Sequence, residues 1–388
     1  MTPAEIRAPR VESLTGLRWW AAFAVFAHHM TNFAPLPIYP LLGYGTYGVT
    51  FFFVLSGFVL TWSSSSEVSP RTFWTRRWAR IYPAYFVALV VAVPIFYTIG
   101  AGGQPWQKPF DPLAILLAVL LVQGWWTSSG ILFAGNPAGW TLTVEALFYA
   151  LHPALQRGLS RVSRRGALIA AAAILVIVIA WRAVAVADPA VAALPEPLLH
   201  LPDFLVGMCL AWALRHGWAF RVPPIISYVT GAAVVLGIYW LQSHLAGSPV
   251  SLVVLPFSNE LIMMACAFAI VSVAARDMRG ERSILRTRVL VLLGDLSYSF
   301  YLVHATVVYA FLLLLGERPV GWSNLGWYAL VLVIAIGFSA ALHFAVERPI
   351  EKRIRRADDA RVTRKRQADA SAFRRGPGLA KSHPGAAD

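Results

Sequence analysis

Leu14-Thr15-Gly16-Leu17-Arg18-Trp19-Trp20-Ala21-Ala22-Phe23-Ala24-Val25-Phe26-Ala27-His28-His29-Met30 opens the first long apolar run of the chain, 14–34. That is the length needed to cross a hydrocarbon layer of ~30 Å, which takes roughly 20 helical residues. Further runs follow at 47–63, 81–100, 140–156, 166–186, 198–214, 224–243, 256–275, 289–315 and 325–347. Of the 388 residues, 58% are hydrophobic and 13% charged. A water-soluble surface needs about twice that share of charge, so soluble, disordered and fibrous classes are excluded. The expected fold class is all-α: a polytopic integral membrane protein with about ten transmembrane helices plus one re-entrant or surface helix. Residues 1–13 read as an N-terminal segment, 14–350 as the membrane domain, and 351–388 as a basic tail without fixed structure.

Charge sets the expected orientation. Arg71, Arg76, Arg77 and Arg80 mark one loop, and Arg157, Arg161, Arg164 and Arg165 another. Arg215 and Arg221, then Arg276, Arg279, Arg282, Arg286 and Arg288, mark two more, whereas the loops between are nearly free of Lys and Arg. The positive-inside rule then predicts a multi-pass protein with ten crossings and both termini in the cytoplasm. The formal net charge is +14, and residues 348–388 hold 12 Lys and Arg against 5 Asp and Glu. Beside a membrane such a tail reads as a topology signal near anionic lipid rather than as a nucleic-acid site. Cys209 and Cys266 sit in apolar runs without a CxxC or nearby His, so neither a disulfide framework nor a metal site is expected. The first run lacks a small-residue cleavage site and reads as span one rather than a signal peptide. Residues Leu113–Trp126 are too short to cross and precede a polar stretch, so they are predicted to re-enter or to lie on the outer surface, with protein covering their ends.

Ionisable groups inside spans are costly, which makes each a candidate for function. Arg18 and His29 are eleven residues apart, three helical turns, and share one face of span one at a separation of about 16 Å. Taken singly, Arg18 reads as a side chain snorkelling to the headgroups. In span four Thr141, Glu145, Phe148 and His152 form one stripe, and Glu145 is expected at the depth of His29, where a carboxylate would orient an imidazole. In span nine Ser297, Tyr301 and His304 share a face, and His304 matches His29 in depth. Glu347, near the inner boundary, is a candidate ion-pair partner for Arg18. The stretch Phe73-Trp74-Thr75-Arg76-Arg77-Trp78-Ala79-Arg80 is the densest aromatic–arginine cluster, suited to phosphates and a stacked base.

Taken together and in order, these segments resemble the membrane acyltransferase 3 family. The matching pieces are Leu14-Thr15-Gly16-Leu17-Arg18 with His29, and Gly48-Val49-Thr50-Phe51-Phe52-Phe53-Val54-Leu55-Ser56-Gly57-Phe58. Arg76-Arg77 with Arg80, Ile81 and Pro83, Trp140-Thr141-Leu142 with Glu145 and Tyr149, and Phe204 with Gly207 follow. Leu296-Ser297-Tyr298 with Tyr301 and His304, and Glu347-Arg348-Pro349, complete the set. The resemblance covers about residues 12–350 and is to bacterial O-acyltransferases of the polysaccharide- or macrolide-modifying type.

It implies acyl-CoA, with acetyl-CoA the default, as co-substrate and no permanently bound cofactor. The acceptor would be a hydroxyl of a carbohydrate, glycolipid or macrolide. Arg18 and His29 would be the functional pair, and Arg77 and Arg80 would sit at the cofactor, joined by Arg76 from the arginine cluster. Many relatives carry an acid where this chain has Thr50, so Glu145 or another group would orient the His here. No fused esterase domain is expected after Arg348. His29 is the expected general base, with Ser297, Tyr301 or His304 as oxyanion donor and Trp140 at the substrate. A proton-coupled solute transporter is the rival reading. It would also use intramembrane His and Glu, but it gives no special reason for the arginine cluster.

Overall fold

The computed structural model describes residues 10–65, 68–100 and 103–374. Ten long helices stand at the ten expected positions: α1 (Glu12–Met30), α2 (Gly48–Trp62), α3 (Pro70–Phe96), α5 (Trp140–Leu159), α6 (Arg164–Ala187), α7 (Leu201–Arg215), α8 (Pro224–His244), α9 (Ser258–Met278), α10 (Arg288–Leu315) and α11 (Leu325–Leu342). A short helix, α4 (Pro112–Val119), lies between α3 and α5, and α12 (Arg348–Arg374) follows α11. By length and composition eight helical segments among the described residues can cross a membrane. The two long helices left out are α1 and α5, which carry Arg18, His28, His29, Glu145 and His152. The protein is a polytopic helical membrane protein.

Burial sorts these helices into layers. Only 11% of the apolar window of α6 and 17% of that of α8 is covered by protein, against 67% for the segment containing α2. Ile169, Val176, Ile177 and Val229 are accordingly exposed apolar side chains, suited to lipid. Inside, Phe26, Met30 and Phe33 pack with Phe300, Val308 and Tyr328 between α1, α10 and α11. Val54, Phe58, Val206 and Ile270 fill the space between α2, α7 and α9.

Close helix crossings fix how the bundle is rotated. A Cβ on Gly57 would lie 2.0 Å from the Phe204 carbonyl oxygen, and one on Gly207 2.0 Å from that of Val54. Lipid tails offer no hydrophobic drive between helices, so backbone contact of this kind holds them together. Ser13 ties the start of α1 to α9, its N–H and Oγ donating to Asp277 at 2.8 and 2.5 Å.

The segment after α3 does not cross. α4 is eight residues long, Leu121 adopts a left-handed φ of 56°, and the chain returns through short turns to α5. Its backbone is satisfied by side chains, as non-helical structure at membrane depth requires. Tyr82 and Tyr85 donate to the carbonyls of Val119 (3.1 Å) and Ala118 (2.7 Å), and the Gly135 N–H donates to the Tyr97 hydroxyl (2.8 Å), while Asn136 ties the segment to the Leu302 carbonyl of α10 (2.8 Å). Lys108 Nζ donates to the carbonyls of Ser129 (3.0 Å), Gly130 (3.3 Å) and Phe133 (3.1 Å), and burial lowers its pKa.

Two expectations are corrected. The Arg71–Arg80 stretch is not a loop but the first turns of α3. Ser69 caps them, accepting from the Thr72 N–H at 3.2 Å, and Pro70 occupies the first turn. The tail is helical to Arg374, with 375–388 outside the described residues. From Ile350 to Arg374 it contains no Gly or Pro, and Glu351–Arg355 and Asp358–Arg361 pair along it at 3.5 and 2.7 Å.

Candidate active site

The site is organised along α1. At its Met30 end, His28 and His29 occupy the last turn, and α10 brings His304 to them. The ring centroids of His29 and His304 are 5.2 Å apart, and those of His28 and His29 5.1 Å. Tyr309 lies 6.3 Å from His29 and Tyr301 5.7 Å from His304. His304 Nδ1 donates to the Phe300 carbonyl at 3.0 Å, which leaves Nε2 as the acceptor nitrogen of a neutral ring. That Nε2 is buried without a partner among the described residues, and so are Nδ1 of His28 and of His29. The match in depth read from the sequence is thus a contact. No group of three His, Cys, Asp or Glu among the described residues is arranged to hold a metal.

At the opposite end of α1 the polar groups are charged. Arg18 lies in the field of Glu145, Glu347, Asp295 and Arg80. Arg80 faces Glu347, Glu351 and Glu145, and Arg77 faces Glu145 and Glu351. Among the described residues none of Arg18, Arg77 and Arg80 forms a direct ion pair, and each is only half-buried. Three guanidinium groups therefore share the fields of Glu145, Glu347, Glu351 and Asp295 without a direct ion pair among the described residues.

Here the structure departs from the expected partners. Glu145 is not beside His29; it accepts from the Tyr149 hydroxyl at 2.9 Å, inside the arginine network. Glu347 does not pair with Arg18. It accepts from Ser299 Oγ at 2.7 Å and His343 Nδ1 at 2.9 Å, because a π-turn over His343–Glu347 brings it back onto its own helix. Ser297 is fully buried and donates to the Gly294 carbonyl at 2.7 Å, so its proton is already engaged within α10. Tyr301 lies against the Thr141 hydroxyl. The Trp140 ring packs 5.8 Å from His200 and 6.2 Å from Phe53.

Arg76, Arg77 and Arg80 of α3 also separate. Arg76 pairs with Asp359 at 2.6 Å and lies 3.6 Å from Asp358, both on α12. Arg77, over the Phe73 ring at 5.5 Å, lines a cavity of about 960 Å³ at the arginine-rich end of the bundle. Arg76 lines the same cavity, whereas Arg80 does not.

Sequence reading passed over two groups. His200 is flanked by Asp203 (2.8 Å) and Glu196 (3.4 Å), legible in retrospect as carboxylates one helical turn to either side. Arg182 pairs with the buried Glu260 at 3.0 Å, which no local spacing could show because 78 residues separate them.

A multi-pass bundle with unpartnered imidazoles above a balanced charge cluster defines a class of membrane protein with a polar reaction-competent interior. Comparison with known proteins specifies it. A family model described as an acyltransferase domain matches residues 11–344, and the chain belongs to this membrane acyltransferase family. It is 33% identical to the acyltransferase MdmB of Streptomyces mycarofaciens over 90% of this chain and 93% of that one. It is 28% identical to nodulation protein 10 of Rhizobium leguminosarum bv. viciae over 87% of this chain and 92% of that one. It is 31% identical to the peptidoglycan O-acetyltransferase OatA of Listeria monocytogenes over 37% of this chain and 24% of that one. No solved structure matches. The protein is a membrane O-acyltransferase.

Proposed function

We propose that the protein moves an acyl group, acetyl by default, from acyl-CoA to a hydroxyl of a carbohydrate, glycolipid or macrolide-type acceptor. The observation that carries this reading is the pair of buried, unpartnered imidazole nitrogens on His29 and His304, reached along α1 from the charged cluster. The arginine-rich end faces the cytoplasm of a bacterial plasma membrane, where the donor is made. Arg77 holds the donor's diphosphate at the cavity, Arg76 lines the same cavity while tied to Asp358 and Asp359, and the pantetheine arm passes Arg18 toward His29. Arg80 keeps the Glu145–Glu347 network neutral beside that path.

His29 takes the acceptor O–H proton as the oxygen attacks the thioester carbonyl. Tyr301 serves as the oxyanion donor, since the Ser297 proton is engaged. Collapse breaks the C–S bond, and the imidazolium returns its proton to the leaving thiolate. Support for an acetyl group comes from the relative named as an O-acetyltransferase.

The test uses purified protein, labelled acetyl-CoA and a panel of sugar and macrolide acceptors, with wild type beside His29→Ala. Label transferred by wild type and lost in the folded variant supports the assignment. Wild-type turnover by folded His29→Ala removes His29 as base. No thioester cleavage together with proton-coupled solute uptake makes the protein a transporter.

A further inference from the structure

The cavity at the arginine-rich end has a second wall that the reaction scheme leaves unused. Its volume, about 960 Å³, lies at the upper end of the ~300–1,000 Å³ typical of small-molecule sites. Four arginines line it, Arg76 and Arg77 from α3, Arg157 from α5 and Arg215 from α7, with no Asp or Glu among the described lining residues. Two of the four are committed. Arg76 is held by Asp358 and Asp359, and Arg215 Nη1 donates to the carbonyls of Thr61, Trp62 and Ser64 at the end of α2. Arg77 and Arg157 have no ion pair among the described residues.

The α5 wall also carries polar atoms whose needs are unmet. His152 is 3% exposed, stacked on Phe73 at 4.9 Å, and among the described residues neither of its ring nitrogens has a partner; one turn on, Gln156 Oε1 has none among them either. Each such buried group costs about 1–3 kcal/mol. Leaving three of them on one face of one helix, in the wall of a basic cavity, is the mark of a site that closes on a ligand. The ligand chemistry follows from the lining. Two uncommitted guanidinium groups on different helices call for two separated phosphate positions.

We propose that His152, Gln156 and Arg157 form a subsite for the 3′-phosphorylated nucleotide end of the donor, while Arg77 serves the diphosphate. This rests on the acyl-CoA reading above. Arg157 thereby selects CoA thioesters over thioesters that lack the 3′-phosphate. His152 and Gln156 gain the partners they lack when the phosphate-bearing ribose seats against α5.

The test is equilibrium binding to full-length protein in phosphatidylcholine nanodiscs, titrated with acetyl-CoA and with acetyl-3′-dephospho-CoA. Wild type should prefer acetyl-CoA by about 10–100-fold, the value of one charge-assisted phosphate contact. Arg157→Gln, at an exposed position, should lower acetyl-CoA affinity to that of the dephospho form and leave the latter unchanged. His152→Phe, which keeps the stack on Phe73, should reduce the preference severalfold. Arg77→Gln should weaken both ligands together. Equal affinity of wild type for the two thioesters, or full preference retained by Arg157→Gln, overturns the subsite and leaves the acyl-CoA reading intact. If phosphatidylglycerol displaces acetyl-CoA from wild type but not from Arg157→Gln, the arginine is a headgroup site and the proposal fails. Absence of binding to either thioester fails the donor reading itself.

Discussion

The two ends of α1 hold polar groups in opposite ways. Around Arg18, charges of both signs surround one another, and each guanidinium has a glutamate in its field. Around His29, no carboxylate is near among the described residues; three imidazoles and two tyrosines meet, and three ring nitrogens lack partners among those residues. A buried charge must be balanced for the bundle to persist, because the penalty for an uncompensated ion exceeds that of any neutral group. A neutral imidazole left unpartnered costs far less, so the fold can keep it free to take a proton. The charged end should therefore report on stability and the imidazole end on turnover.

The largest effect is expected at the imidazole end. His29→Ala should lower acyl transfer by about 10²–10⁴-fold with little change in melting temperature. A variant that melts early and transfers at the wild-type rate breaks the comparison. At the charged end, Glu145→Gln leaves Arg18, Arg77 and Arg80 short of one counter-charge. Thermal unfolding in detergent should show a loss of about 2–4 kcal/mol, from the weakened charge-assisted bond with Tyr149 plus about 1 kcal/mol for charges that do not touch. Unchanged stability there means the interior space is wet enough to screen the network. Tyr149→Phe sharpens the same point, removing one hydrogen bond to that carboxylate for about 1.5–3 kcal/mol. The smallest effect belongs to Asp359→Asn. Its partnership with Arg76 is exposed on the Asp359 side, so the stability change should stay within about 1 kcal/mol.

Legibility in the sequence followed one coordinate. Apolar run lengths gave depth along the membrane normal, and depth alone brought His29 and His304 to one level, where the structure has them in contact. The same depth argument put Glu145 with His29 and Glu347 with Arg18, and there it failed. Glu145 instead accepts from Tyr149 within the arginine network at the other end of α1, and Glu347 is turned toward Ser299 and His343. The arginine cluster was legible as a cluster, yet its division was not. Arg76 is bound to a tail helix expected to be unstructured, Arg77 faces the cavity, and Arg80 faces inward.

The sequence by itself determined that this is a polytopic helical membrane protein, where its ten apolar helices lie along the chain, and that His29 and His304 share one level. Those properties depend on hydrocarbon thickness and a fixed rise per residue. Only the tertiary structure decided which neighbour each side chain faces and that a basic cavity opens beside α5. The rotation of one helix about its axis is set by backbone contacts between distant segments, such as Gly57 against Phe204 and Gly207 against Val54, and no local pattern encodes them.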